Sequence, residues 1–160
     1  MRRRRHGNRD DCRGALIEGV RIQPAVLHDI AEHARQDSPD ECCGLLVGSD
    51  GLLDLRRPEG VIDEAVRTTN LERGPTRYRI DPMEHLALQK RLRGTGRAVA
   101  GAYHSHPGTS AAPSMSDVTE AFYPEFLYVI VSLARPDHPE IRAWRIRKGA
   151  AREVTLVPQP

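Results

Sequence analysis

Long apolar runs are missing from this 160-residue chain: nothing in it approaches the roughly 20 consecutive apolar residues of a membrane-spanning helix. Aromatic residues are also scarce, at 4% of positions, so the few present carry more weight than usual. Cysteine occurs only at 12, 42 and 43, an odd number with two members adjacent, which excludes a disulfide framework and fits a reducing cytoplasm. A strong charge of either sign is absent too. The formal net charge is +2, too small to argue for nucleic acid as a partner. What excess there is sits in the opening "MRRRRHGNRDDCRG", which reads as a disordered, solvated Arg-rich arm over residues 1–18. No apolar stretch follows those arginines, so a secretory signal is not expected, and without aromatics or an apolar face an RNA or membrane contact is disfavoured.

What is present is ordinary globular chemistry, 39% hydrophobic and 29% charged with both signs mixed. Residues 19–160 are expected to form a single domain. "VRIQ" is strand-like, and "PAVLHDIAEHARQ" places Val26, Leu27, Ile30, Ala31 and Ala34 at helical spacing behind Pro24. "CCGLLVG" reads as a buried strand with Glu41 at its entrance, followed by strand patterns at "LLDLRR", "VIDEAVRTTN" and "RYRI". Asp81, Pro82 and Glu84 fit N-cap, N1 and N3 of a second helix reaching about Arg93, with Met83, Leu86 and Leu92 as its expected buried side. "RAVAGAYH" is a small-residue strand, a short helix is expected from about Ser116 to Phe122, and "FLYVIVSLA", "EIRAWRIRKG" and "REVTLVPQ" close the chain as strands, the last two as a hairpin. The expected fold is α+β: helices 24–36 and 82–93 outside a curved, mainly antiparallel sheet.

The chemistry concentrates in "YHSHPGTSAAPSMSD", residues 103–117. In an extended strand His104 and His106 point to one face, and a loop of small residues can return Asp117 to them. Two neutral imidazoles and one carboxylate suit zinc, and three protein ligands leave the open position of a catalytic site. Spacing alone also permits a plainer reading, because Ser114 and Asp117 have the S-x-x-D pattern of a capping box. Ser114 is equally ambiguous between helix cap and donor to a substrate oxygen.

Glu41 changes the weighing. With it, the chain resembles the JAMM (JAB/MPN) metalloprotease family, whose motif is an upstream glutamate followed by H-[ST]-H-x7-S-x2-D. Glu41, His104, Ser105, His106, seven intervening residues, Ser114, two more and Asp117 match it at every position. "ECCGLLVG", "HSHP" and "YVIVSL" are similar to that family's flanking strands, and the resemblance runs from about Val20 to Val157. It implies a JAMM/MPN-like (cytidine-deaminase-like) fold and one Zn2+ held by His104, His106 and Asp117, at a sheet edge. It further implies Glu41 as general base and Ser114 as donor to the developing oxyanion. Ser105 is expected to point away and help hold the loop.

The family implies a substrate as well: a ubiquitin-fold partner protein with a C-terminal glycine tail, cut at the amide bond after that glycine. The compact chain favours a sulfur carrier from which cysteine or another terminal residue is released. The alternatives are an isopeptidase removing ubiquitin-like modifiers from lysines, and a non-catalytic MPN assembly scaffold, against which the intact Glu41, His104, His106 and Asp117 argue. Other conspicuous residues have plainer readings. Cys42 and Cys43 read as small buried hydrophobes, and His28, His33, His85 and His138 as packing or solvated residues. Trp144 and Tyr128 read as sheet packing, and Arg73 and Arg77 as loop residues able to touch an acidic substrate.

Overall fold

The computed structural model describes residues 19–50 and 60–159. The Arg-rich arm and the strand expected at "LLDLRR" lie outside the described residues. The elements run β1 (Gly19–Ile22), α1 (Pro24–Asp37), β2 (Cys43–Ser49), β3 (Val61–Thr68), α2 (Pro82–Leu92), β4 (Arg97–His106), α3 (Met115–Thr119), β5 (Leu127–Ser132), β6 (Glu140–Arg147) and β7 (Ala150–Pro158).

The expected α+β architecture is present, but the sheet closes on itself as a barrel in the order β1-β3-β2-β4-β5-β6-β7. Closure comes from the short β1, which pairs in parallel with both β3 and β7. The pairs β2/β3, β2/β4, β5/β6 and β6/β7 are antiparallel, and β4/β5 is parallel. Both faces of the central strands are covered, which explains why β2 and β5 read as unbroken apolar runs rather than alternating ones.

Alternation sorts these residues between two cores. One contains Ile22, Ile30, Leu46, Tyr103 and Val129, beneath α1. The other contains Leu45, Val47, Leu88, Leu92, Ala102 and Tyr128, beneath α2. On β4, Tyr103 therefore faces the first core, while Ala102 and the next residues of its parity, His104 and His106, face the α2 side. Gly101 is required where β4 meets β5, because a Cβ there would lie 2.0 Å from the Leu127 carbonyl oxygen.

Several expectations are corrected. The buried face of α2 is His85, Leu88 and Leu92, while Met83 and Leu86 are 67% and 41% exposed. Asp81 caps α2 by accepting from the Met83 N–H, but Glu84 does not complete a capping box. Its carboxylate instead accepts from the Thr69 backbone and hydroxyl, at 2.8 and 2.9 Å, and ties α2 to the end of β3. "RYRI" is not a strand; it contributes only a bridge between Ile80 and Asn70. The third helix is shorter than expected and begins at Met115.

Candidate active site

β4 delivers His104 and His106 to one point at its C-terminal end, before Pro107 stops regular pairing. The site is not at a sheet edge as expected: His104 sits between Cys43 of β2 and Ile130 of β5, in the middle of the barrel wall. The loop after β4 is held from below. The Ser132 hydroxyl donates to the Thr109 carbonyl at 2.5 Å, and the Trp144 indole N–H donates to the Ala111 carbonyl at 2.9 Å. Trp144 is thus a loop anchor as well as a strand residue.

The loop returns Asp117 to the histidines. His104 Nε2 lies 3.0 Å from His106 Nε2, Asp117 Oδ1 lies 3.2 Å from His104 Nε2, and Asp117 Oδ2 lies 3.3 Å from His106 Nε2. Ligands arranged tetrahedrally at zinc distances stand about 3.3 Å apart, so these three residues could hold one ion. The proton on His106 is directed away from that point: its Nδ1 donates to the Ser110 carbonyl at 2.7 Å, which leaves Nε2 as the free lone pair.

The capping reading is realised at the same time. Ser114 Oγ accepts from the Asp117 N–H at 3.2 Å, and Asp117 Oδ2 accepts from the Ser114 N–H at 2.6 Å. The reciprocal cap fixes the carboxylate's direction, and its oxygens still reach both imidazoles. Burial alone would push the Asp117 carboxyl up, but hydrogen bonds from His104, His106 and Ser114 outweigh it and hold the group ionised far below the usual carboxylate range. Burial drives the His104 imidazole down, toward the neutral form a metal requires.

Glu41 stands just before β2, 5% exposed. Its backbone N–H donates to the Gly74 carbonyl at 2.7 Å, and its carbonyl accepts from the Asn70 side chain at 2.9 Å. Burial pushes its carboxyl up to about 7; the His106 charge opposes this and Asp117 adds to it, so the carboxyl is coupled electrostatically to the histidine cluster. Ser105 turns away from the cluster and accepts from the Cys42 N–H.

The neighbouring thiols are unsuited to nucleophilic work. Burial pushes Cys42 up to about 12 and Cys43 up to about 11, so both stay protonated. His28 and His138 are exposed, whereas His33 is buried and its Nδ1 lies 2.8 Å from the Tyr103 phenol oxygen. Arg77 pairs with Glu72 and Glu120 on the surface. Sequence reasoning missed Tyr78, whose ring stacks on His104 with centroids 4.2 Å apart and planes 18° from parallel. Its one sequence signal was scarcity, an aromatic in a stretch that read as strand.

Two imidazoles, a carboxylate and a buried glutamate poised near neutrality are equipped for hydrolysis at a metal ion, and the class this fold and site define is the metallopeptidases. The chain belongs to the prokaryotic homologues of the JAB domain, whose family model matches residues 23–147. It is 39% identical over 132 residues to the CysO-cysteine peptidase of Mycobacterium tuberculosis, covering 82% of this chain and 86% of that protein. A solution structure of a protein from Desulfitobacterium hafniense superposes with a TM-score of 0.75 at 32% identity, covering 87% of this chain and 92% of the other. A structure described as JAMM, a metalloprotease-like zinc site in the proteasome and signalosome, matches with a TM-score of 0.51 at 26% identity, covering 86% and 97%. Among the described residues no helix is long and apolar enough to cross a membrane.

Proposed function

We propose that this chain is a zinc-dependent peptidase that hydrolyses the amide bond after the C-terminal glycine of a ubiquitin-fold sulfur carrier, releasing cysteine or another terminal residue. The observation that carries the reaction class is the convergence of His104, His106 and Asp117 at 3.0–3.3 Å beside buried Glu41. The similarity to the CysO-cysteine peptidase supports the substrate class.

In this reading His104, His106 and Asp117 hold one zinc ion, and the fit rests on their spacing and on the donor set. When bound, zinc supplies Lewis acidity, polarising the scissile carbonyl and acidifying water to near neutrality. Glu41 takes the proton of the attacking water and returns it to the departing amine, and burial strengthens its carboxyl's hold on that proton. Ser114 Oγ accepts from the Asp117 N–H and lies 3.3 Å from Ser116 Oγ; in this reading its hydroxyl proton turns to the carbonyl oxygen as negative charge develops there. A partner protein is supported by an apolar groove of about 610 Å³ on the same face of the sheet. Leu45 and Ala102 form its floor, and exposed Phe122 and Tyr123 lie at its rim.

The test is mass spectrometry of ubiquitin-fold carriers bearing one extra residue after the terminal glycine, incubated with the zinc-loaded chain and, as control, with chelator. Loss of the single residue in the first sample alone is the expected result. Release of a lysine-linked modifier with the carriers untouched would replace the proposal with the isopeptidase reading. No cleavage of either substrate would overturn both.

A further inference from the structure

Tyr78 takes no part in the chemistry assigned above, yet its ring stacks on one of the residues that do. The residue lies between β3 and α2, and its half-buried ring covers one face of the His104 imidazole, centroid to centroid 4.2 Å. The same side chain lines the apolar groove together with Ile80, Leu86 and Tyr123. The groove's floor includes Ala102, and His104 is the next residue of the same parity along β4. Groove and histidine cluster are therefore continuous along one face of one strand, and Tyr78 stands where they meet.

The phenol is left for something else to use. Among the described residues no group hydrogen-bonds the Tyr78 hydroxyl. An ordinary phenol keeps its proton near neutral pH, so the hydroxyl is available there as a donor. At its glycine, a glycine-ended tail offers such a donor only the backbone carbonyl, because glycine has no side chain to recognise. A tail that crosses from an apolar groove to a metal centre must also lose its hydration there, and a carbonyl left without a partner in that position is costly.

We infer that Tyr78 is a substrate-binding residue of this centre: its ring buttresses the His104 imidazole, and its hydroxyl donates to a backbone carbonyl of the glycine-ended tail where the tail passes from groove to metal site. This assignment rests on the peptidase reading above. It divides the side chain into two separable parts, a ring that serves the metal ligand and a hydroxyl that serves the substrate.

The experiment compares the zinc-loaded full chain with Tyr78→Phe, which keeps the ring, and Tyr78→Leu, which removes the stack. For Tyr78→Phe, zinc affinity measured by competition with a chromophoric chelator is expected to be unchanged, while kcat/KM on a glycine-ended carrier falls about three- to tenfold, the effect of one neutral hydrogen bond. In a Glu41→Gln background, which binds without turnover, calorimetric affinity for the carrier falls by a similar factor on adding Tyr78→Phe. Tyr78→Leu is expected to weaken zinc binding as well. Wild-type kcat/KM and wild-type carrier affinity in Tyr78→Phe would overturn the inference while leaving the peptidase reading intact. Failure of the unsubstituted chain to bind or cleave any glycine-ended carrier would instead remove that reading, and the tail-binding role with it.

Discussion

The backbone N–H of Cys42 donates to the Ser105 hydroxyl at 2.8 Å, and the Ser105 N–H returns a bond to the Cys42 carbonyl at 3.1 Å. These two bonds join the residue after Glu41 to the residue between the two histidines, so the carboxylate and the imidazoles are set by one clamp across β2 and β4. Ser105→Ala leaves the buried Cys42 N–H with no side-chain acceptor, and the expected cost is about 1–3 kcal/mol of unfolding free energy. Denaturant melts measure that loss. Zinc stoichiometry should survive, while turnover drops as Glu41 loses its registration.

Asp117 should separate into its two duties by substitution. Asp117→Asn keeps an acceptor for the Ser114 N–H but removes the charge that His104 and His106 bond, so the metal-free protein should lose stability with its cap retained, while zinc binding falls sharply. Asp117→Ala removes cap and ligand together and should cost the metal-free protein about 1 kcal/mol more. His106→Ala should lose zinc without any cap effect. Metal analysis after gel filtration, paired with thermal melts in chelator, reads all three; full zinc occupancy in His106→Ala would remove it from the ligand set.

Glu41→Gln preserves shape and hydrogen-bonding capacity but cannot carry a proton. Zinc content should remain at one per chain, with turnover reduced about 100-fold or more, the usual weight of a positioned base. A stopped assay with and without added zinc distinguishes this from simple metal loss.

The same residue makes a stability prediction of definite sign in the metal-free protein. Its carboxyl sits at about 7 when folded, above the ordinary 4.5, so the native state binds the proton more tightly than the unfolded chain does. The contribution is fully present below pH 4.5 and is lost as pH rises toward 7. Relative to Glu41→Gln, the chelator-treated wild type should therefore lose on the order of 2–3 kcal/mol across that window. Paired urea melts at three or four pH values measure the difference, and a flat difference would refute the burial argument.

Gly101→Ala tests the floor on which the site stands. The added Cβ would meet the Leu127 carbonyl oxygen at 2.0 Å, a backbone atom that cannot rotate away, so β4 and β5 must separate. A loss of about 3 kcal/mol or more is expected, at the upper end for overpacking. Weakened zinc binding should accompany it, since His104 and His106 lie on the same strand; equilibrium unfolding and metal titration check the two effects.

Much of this molecule follows from local rules. Hydrophobic period placed β1, β2, β3, β4 and α1 to within a few residues, because each buries one continuous stripe or run against a neighbour. It failed on α2, where Leu86 and Met83 have the apolar side chains but His85 points inward, against Tyr123 and Phe126. The helix is oriented by what it lies upon, including the Glu84 bonds to Thr69, rather than by its own moment. "RYRI" failed for a related reason: strand-like residues have no ladder to join when the adjacent edge is already filled.

The sequence by itself determined that two imidazoles share a face, since period two in a strand allows nothing else. It offered a Ser114–Asp117 cap by spacing but left open whether Asp117 would serve as cap or ligand, and the structure forms the cap with the carboxylate still reaching both imidazoles. Proximity of Glu41 could not be read from spacing, because it depends on which strand β2 chooses as neighbour. Tertiary structure alone decided the remainder. Pairing of β4 with β2 on one side and β5 on the other put the site in the middle of the wall instead of at the expected edge, and the path of the chain between β3 and α2 laid Tyr78 over His104. Both are matters of long-range pairing, where the free energy comes from surfaces far apart in sequence and no local pattern records the partner.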